Sequence, residues 1–88
     1  MSRASKHMGR VAELGCILCQ HLGWGPTPAQ VHHLFDTASR SDFLVAPLCR
    51  EHHMGSTGFH GMGQRKFERT YKLTEADLLA KTIEALHG

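Results

Sequence analysis

Two pairs of residues with metal-binding side chains have the spacing of a zinc site. Cys16 and Cys19 form the first pair, and Cys49 and His52 form the second. A spacing of two intervening residues lets both side chains of a pair reach one ion from a single tight turn, and three Cys with one His make a tetrahedral site. The sequence therefore predicts a structural zinc ion. His21 is an alternative to His52 because it lies near the first pair.

The composition favours a metal over disulfide bonds. The 88-residue chain has 8 His but only 3 Cys, and an odd number of cysteines cannot be fully paired within one chain. A domain this short has a thin core, and a bound metal is a common way to stabilise it. The alternative is that the three cysteines are simply small, buried apolar residues.

Four further histidines are not needed for that zinc site. They are His32, His33, His53 and His60. His32 and His33 are adjacent, so they face opposite sides of a strand, although both can reach one centre at the strand edge. Histidines that converge on a metal with an open coordination position can activate water. The alternative is an ordinary surface or hydrogen-bonded histidine, which we accept for His7 and His87.

A β-hairpin is predicted to carry the His32–His33 pair. Two short apolar runs, residues 29–35 and 43–48, flank the polar residues 36–42, and this pattern is typical of a hairpin. Pro47 places the second strand at a sheet edge. The Gly- and Pro-rich residues 23–28 predict a loop.

Helices are predicted on both sides of the hairpin. Their ranges are 3–14, 64–72 and 74–87. The last begins with the capping box Thr74–Asp77 and is expected to bury an apolar stripe of Leu79, Ile83 and Leu86. Residues 54–63 contain four Gly and are expected to be irregular.

The pattern as a whole resembles the HNH endonucleases, or ββα-metal nucleases. The matching segments are Cys16 with Cys19, residues 31–33 and residues 47–53. Residues 47–63 resemble more closely the phage recombination-enhancement (Ref-type) nuclease domain, and the resemblance covers roughly residues 16–79. It implies a small α+β fold, a ββα-metal unit with a zinc knuckle and flanking helices. It also implies one domain over residues 1–88, with a core of about 14–73 and a covering helix of about 74–87.

The resemblance implies a role for each surplus histidine. His33 matches the general base, and His32 and His53 match ligands of a catalytic metal. A third ligand is usual in these families, and His60 is our candidate, with Asp36 as a weaker one.

One residue of the family pattern is missing. The chain contains no Asn, whereas the central Asn of the HNH families lies just before the second strand and braces the hairpin or the base. Asp42 or Ser41 occupies this region. Either side chain can accept a hydrogen bond as an Asn carbonyl does, but neither supplies the amide donor.

The function implied by the resemblance is metal-dependent hydrolysis of DNA phosphodiester bonds by an endonuclease. A phage or prophage origin and a link to recombination are expected with it. The expected cofactors are a structural zinc and a second divalent ion, namely Mg, Mn, Ni or Zn, and histidine ligands suit transition metals better than Mg²⁺. The alternative is a non-catalytic zinc-stabilised module that binds nucleic acid or protein and gives the surplus histidines no role.

The expected partners are DNA and a recombination protein or filament that targets the nuclease, and the chain is expected to be a monomer or weak dimer. Candidate phosphate contacts are Arg65, Lys66 and Arg69 on one predicted helix, with Arg40 in the hairpin turn. The alternative for the helix is an ordinary solvated face. With no apolar run of 18 residues and no apolar stretch near the start, we expect no membrane contact and a cytoplasmic location in a bacterial host cell.

Overall fold

Two antiparallel strands form the centre of the fold. The computed structural model describes residues 2–35 and 41–88, and in it β1 spans Gln30–His33 and β2 spans Val45–Leu48. The register pairs His32 with Ala46 and His33 with Val45. The predicted hairpin strands are therefore confirmed, in shorter form. Asp36 and Arg40 lie outside the described residues.

Helices surround this hairpin. In the described part of the chain they are α1 (Arg3–Glu13), α2 (Ile17–His21), α3 (Arg50–Met54), α4 (Phe59–Met62), α5 (Gln64–Tyr71) and α6 (Glu75–His87). Helices α1, α5 and α6 confirm the three predicted helices, and the small α+β class is confirmed with them. Helix α4 shows that the prediction of an irregular segment over 54–63 was wrong in part. Among the described residues, no helix combines the length and the apolar character that crossing a membrane would require.

Helix α6 buries a different face from the one predicted. Leu78 and Thr82 are almost fully buried, whereas Ile83 is 45% exposed. The Thr82 hydroxyl donates to the Leu78 carbonyl oxygen at 2.7 Å, so a polar residue is tolerated in the core. The predicted stripe of Leu79, Ile83 and Leu86 was wrong because the helix is rotated by about one residue, which leaves Leu79 and Leu86 only partly buried.

The core lies between the hairpin and the helices. Its largest fully buried side chains include Phe67, Leu18, Leu34, Leu48 and Leu78, which come from five different parts of the chain. The same cluster includes the buried Cys16 and Cys19. The cysteine pair is therefore held by the packing of the core.

Candidate functional site

Three cysteines and one histidine form a compact cluster beside the core. One ligand atom from each of Cys16, Cys19, Cys49 and His52 lies within 4.8 Å of the others. The Cys19 and Cys49 sulfur atoms are 3.8 Å apart, and the three sulfurs lie 3.3–3.7 Å from His52 Nδ1. Zn–S bonds of about 2.3 Å and a Zn–N bond of about 2.0–2.1 Å would place tetrahedral ligands about 3.8 Å (S to S) and about 3.6 Å (S to N) apart. The donor set therefore fits a structural zinc ion.

The spacing within each ligand pair has a local structural cause. Cys16 is the N-cap of α2, and its sulfur accepts a hydrogen bond from the Cys19 backbone N–H at 3.4 Å. Cys49 is the N-cap of α3, and its sulfur accepts from the His52 N–H at 3.4 Å. In both pairs the second ligand is therefore the third residue of a short helix. The N-cap geometry turns both side chains toward the same point.

Burial changes the proton affinity of this cluster. It raises the pKa of the Cys16 thiol to about 11 and lowers the pKa of His52 below its ordinary value. The thiol is thus protonated at neutral pH unless a cation stabilises the thiolate, while the imidazole stays neutral and able to coordinate. This combination suits a site in which a bound metal displaces protons.

His21 is not part of the cluster. It is exposed at the end of α2, beside Gln20, Lys81 and Glu84. The structure therefore brings together the predicted set with His52 rather than the alternative with His21.

Three more histidines form a second cluster. One ring nitrogen from each of His32, His53 and His60 lies within 4.8 Å of the others. Their ring centroids are 5.0–5.3 Å apart, so the rings form a nearly equilateral triangle. His32 is 2% exposed, His53 is partly exposed and His60 is exposed, so the triangle has a buried side and a solvent side. Three histidine ligands with an open side are typical of catalytic metal sites.

Each histidine of this cluster comes from a different element. His32 lies on β1, His53 on α3 and His60 on α4. Glycines let α4 approach α3 closely, because a Cβ at Gly58 would overlap the backbone of His52, and a Cβ at Gly61 would overlap the Gly55 carbonyl. The close contact folds the Gly-rich segment back toward α3 and brings His60 beside His53.

A glutamine orients one of the three rings. Gln30 Oε1 lies 2.9 Å from His53 Nδ1, so the ring donates this hydrogen bond and its Nε2 is left available to a metal. Burial, followed by the neighbouring His60, lowers the pKa of His53. The lowered pKa keeps His53 neutral and able to coordinate below the pH at which an ordinary histidine becomes protonated.

His33 is held by a carboxylate at the edge of the hairpin. Asp42 Oδ1 lies 2.8 Å from His33 Nε2. An ionised carboxylate can accept hydrogen bonds but cannot donate them, so Asp42 favours the His33 tautomer that carries its proton on Nε2 rather than on Nδ1. Of the two residues expected in place of the missing Asn, Asp42 is thus the one that contacts His33.

All four histidines line one cavity of about 320 Å³, whose other lining residues are Val31, Phe59, Gln64 and Glu75. Phe59 packs against His32, with ring centroids 4.4 Å apart.

Glu75 is 7% exposed, and its Oε2 accepts a hydrogen bond of 2.6 Å from the Phe35 N–H. The carboxylate therefore fixes the end of the histidine strand to α6, at a residue whose φ of 57° is rare outside glycine.

Sequence reasoning missed two polar residues of this site. Gln30 could have been found from strand alternation, since it is two residues before His32 and therefore shares its face. Glu75 carries no comparable signal, because its partner Phe35 is 40 residues away in the chain.

The three predicted phosphate contacts on α5 are exposed. Arg65 and Arg69 line a surface depression of about 490 Å³ on α5 with Glu68, and Lys66 is exposed nearby. Their role in DNA binding stays a prediction.

A family comparison covers nearly the whole chain. The family model described as "Recombination enhancement, RecA-dependent nuclease" matches residues 2–87. Neither a curated protein nor a solved structure matches the chain.

Proposed function

The chain belongs to the family of recombination-enhancement, RecA-dependent nucleases, and from this membership and the histidine cavity we propose that it is an HNH-type, metal-dependent DNA endonuclease. In this proposal the zinc cluster is structural and the cavity is the active site. Residues 1–88 act as a single nuclease domain. The DNA is presented by a recombination filament.

The observation that supports the proposal most is that the four histidines of one cavity have two different arrangements. Three histidines offer nitrogen atoms within 4.8 Å of one another, and a fourth, His33, lines the same cavity but is bound to a carboxylate instead. A general base needs a free, unprotonated nitrogen beside the metal rather than on it. His33 is the residue that meets this requirement.

Each residue then has a defined task in phosphodiester hydrolysis. His33 takes a proton from the attacking water through Nδ1, while Asp42 holds Nε2–H and stabilises the charge that the ring acquires. His32, His53 and His60 would hold a divalent ion. When bound, that ion supplies the positive charge that stabilises the pentacovalent phosphate and the leaving 3′ oxygen.

The decisive experiment is cleavage of DNA covered by a RecA filament, with the zinc-loaded protein and Mg²⁺, Mn²⁺, Ni²⁺ or Zn²⁺ added in turn. Loss of a general base costs about 10²–10⁴-fold in rate, so His33→Ala should abolish most cutting while its zinc content and melting temperature stay unchanged. His87→Ala is the matched control, because this histidine is exposed at the end of α6. Cutting by His33→Ala at the wild-type rate would contradict the assignment of the base.

The number of metal ions distinguishes the nuclease from a non-catalytic zinc module. A nuclease is expected to bind one tight zinc and a second, exchangeable ion that is lost in His32→Ala or His53→Ala. One ion per chain, with no change in these variants and no cleavage of filament-covered DNA under any ion, would favour a module that binds nucleic acid or protein.

A further inference from the structure

Three exposed cations that have no role assigned so far lie on one face of α1. Arg3, Lys6 and Arg10 have helical spacings of three and four residues, so they share a face and span about 10 Å along the axis. Together with His7 and Phe43 they line a surface cavity of about 290 Å³. We call these five residues the α1 surface.

The α1 surface carries uncompensated positive charge. Within residues 2–35 and 41–88, no carboxylate pairs with Arg3, Lys6 or Arg10. The only acidic residue of α1 is Glu13, at the opposite end from Arg3. An unpaired basic face of this kind attracts an anionic partner.

An aromatic ring is held in the middle of these cations. The Phe43 side chain is 48% exposed, so the core does not account for its position. His7 Nε2 donates a hydrogen bond to the Phe43 carbonyl oxygen at 3.1 Å, and the two rings pack with centroids 5.2 Å apart. His7 thus fixes the residue that presents an apolar ring to solvent among positive charges.

The α1 surface is linked to the candidate active site through two neighbouring residues. Phe43 follows Asp42 in the chain, and Asp42 contacts the His33 ring that lines the cavity. One step along the backbone thus separates the exposed aromatic ring from the residue that holds His33.

We propose that the α1 surface binds a segment of single-stranded DNA that leads into the catalytic cavity. A base stacks on Phe43, and the flanking phosphates contact Arg3, Lys6 and Arg10. A single strand is favoured over a duplex because an aromatic side chain needs a base face that is not already stacked in a helix. The inference rests on the proposed nuclease function and adds a second DNA contact, distinct from the predicted face of α5.

The test measures binding of the zinc-loaded full chain to a fluorescent oligothymidylate of about 20 nucleotides, longer than the about 4–16 nucleotides that comparable sites cover. No divalent ion is added, so the strand is not cut. Phe43→Leu, which keeps an apolar side chain but removes the ring, should weaken binding about 5- to 100-fold. Phe43→Tyr should restore it.

Salt dependence tests the cations separately. The double variant Lys6→Ala/Arg10→Ala should reduce the slope of log affinity against log salt concentration by about 1.4, or about 0.7 for each lost phosphate contact to a single strand. Lys81→Ala removes a cation of α6 that lines a different surface depression, and it should leave the slope unchanged.

Wild-type affinity in Phe43→Leu, or a wild-type slope in the double variant, would overturn the proposal. A larger loss of affinity for a matched duplex than for the single strand would also overturn it.

DNA cleavage separates this proposal from the nuclease assignment. The DNA in this assay is covered by a RecA filament, as in the test of the proposed function. If the wild type cuts it and Phe43→Leu binds and cuts as well as the wild type, the nuclease stands and the α1 surface fails. If the wild type cuts filament-covered DNA under no ion while single-strand binding depends on Phe43, the α1 surface stands and the nuclease assignment fails. Absence of any single-strand binding by the wild type rules out the α1 surface.

Discussion

The contact between His33 and Asp42 shows how one side chain can occupy the place of another. The families that the sequence resembles have an Asn before the second strand, whereas this chain has no Asn and places Asp42 Oδ1 2.8 Å from His33 Nε2. Accepting one hydrogen bond from Nε2–H requires only an oxygen, which both side chains have. The missing Asn therefore does not remove the support for a general base.

Two substitutions of Asp42 should separate the effect of its accepting oxygen on cleavage from the effect of its negative charge. Asp42→Ala removes both, so cleavage should fall, but by less than the about 10²–10⁴-fold expected for His33→Ala, because the base itself remains. Asp42→Asn keeps an accepting oxygen and should retain more activity than Asp42→Ala. Rates at saturating DNA, measured across pH, provide the comparison, with zinc content as the control for folding.

Equal rates in Asp42→Ala and the wild type would show that this carboxylate does not position the base. In contrast, a loss as large as that of His33→Ala, together with loss of zinc, would indicate a purely structural role.

Ligands were predictable from the sequence at this scale, but their supporting residues were not. The pairs Cys16–Cys19 and Cys49–His52 are local, so their spacing carries the information. The carboxylate of Glu75 supports the histidine strand through Phe35, a contact that exists only after α6 has packed. A contact over 40 residues leaves no pattern in the local sequence.

Helix starts determine much of this structure at the scale of elements. Cys16, Cys49 and Thr74 each begin a helix by accepting a hydrogen bond from the N–H three residues later. For Thr74 the result is a capping box that stabilises α6. For the two cysteines, the same local geometry also brings two metal ligands together.

Two glycines in helices should respond oppositely to the same substitution. Gly61→Ala places a Cβ against the Gly55 carbonyl and should lower the free energy of unfolding by about 1–3 kcal/mol, because α4 must move away from α3. Gly9→Ala places a Cβ in open space on α1 and should raise it by about 0.5–1 kcal/mol. Denaturant unfolding of both variants measures the difference.

Binding of the second divalent ion gives an independent readout. Gly61→Ala should also weaken that binding, since His60 directly precedes the substituted residue, whereas Gly9→Ala should not. A Gly61→Ala protein as stable as the wild type would contradict the close contact between α3 and α4.

Element types were easier to predict than the faces they bury. The capping box correctly placed the start of α6. Hydropathy could not predict that Ile83 is exposed and Thr82 is buried. The Thr82 hydroxyl can be buried because it donates a hydrogen bond to the Leu78 carbonyl oxygen within the helix. The short α4 was missed because glycines that allow a close approach look the same in sequence as glycines that break a helix.

At the scale of the whole molecule, the cysteine cluster is placed where a bound metal would cross-link distant parts of the chain. Cys19 and Cys49 are 30 residues apart, and their sulfurs meet across the segment that contains the hairpin. Such a cross-link stabilises a small domain whose core alone is thin.

Zinc binding should depend on pH. Burial raises the pKa of Cys16 to about 11, so the ion must displace a proton from this thiol at neutral pH. The logarithm of the apparent affinity should therefore rise by about one for each pH unit near pH 7 from Cys16 alone. His52, whose pKa is lowered, should add no further dependence until the pH is well below its ordinary value.

Competition with a chromophoric zinc chelator at several pH values measures this slope. Cys49→Ala removes one ligand of the proposed zinc ion and should lose much of the folded structure. An affinity that is independent of pH would contradict thiolate ligation.

Adjacent residues of α3 serve different clusters, since His52 belongs to the cysteine cluster and His53 to the histidine triangle. If both clusters hold ions as proposed, this arrangement gives their loading an order in time. The five-residue α3 is too short to persist alone, so assembly of the cysteine cluster should stabilise it. The triangle that includes His53 would then form after the cysteine cluster. We therefore expect the two ions to load in sequence, and an excess of the second ion should not replace the first.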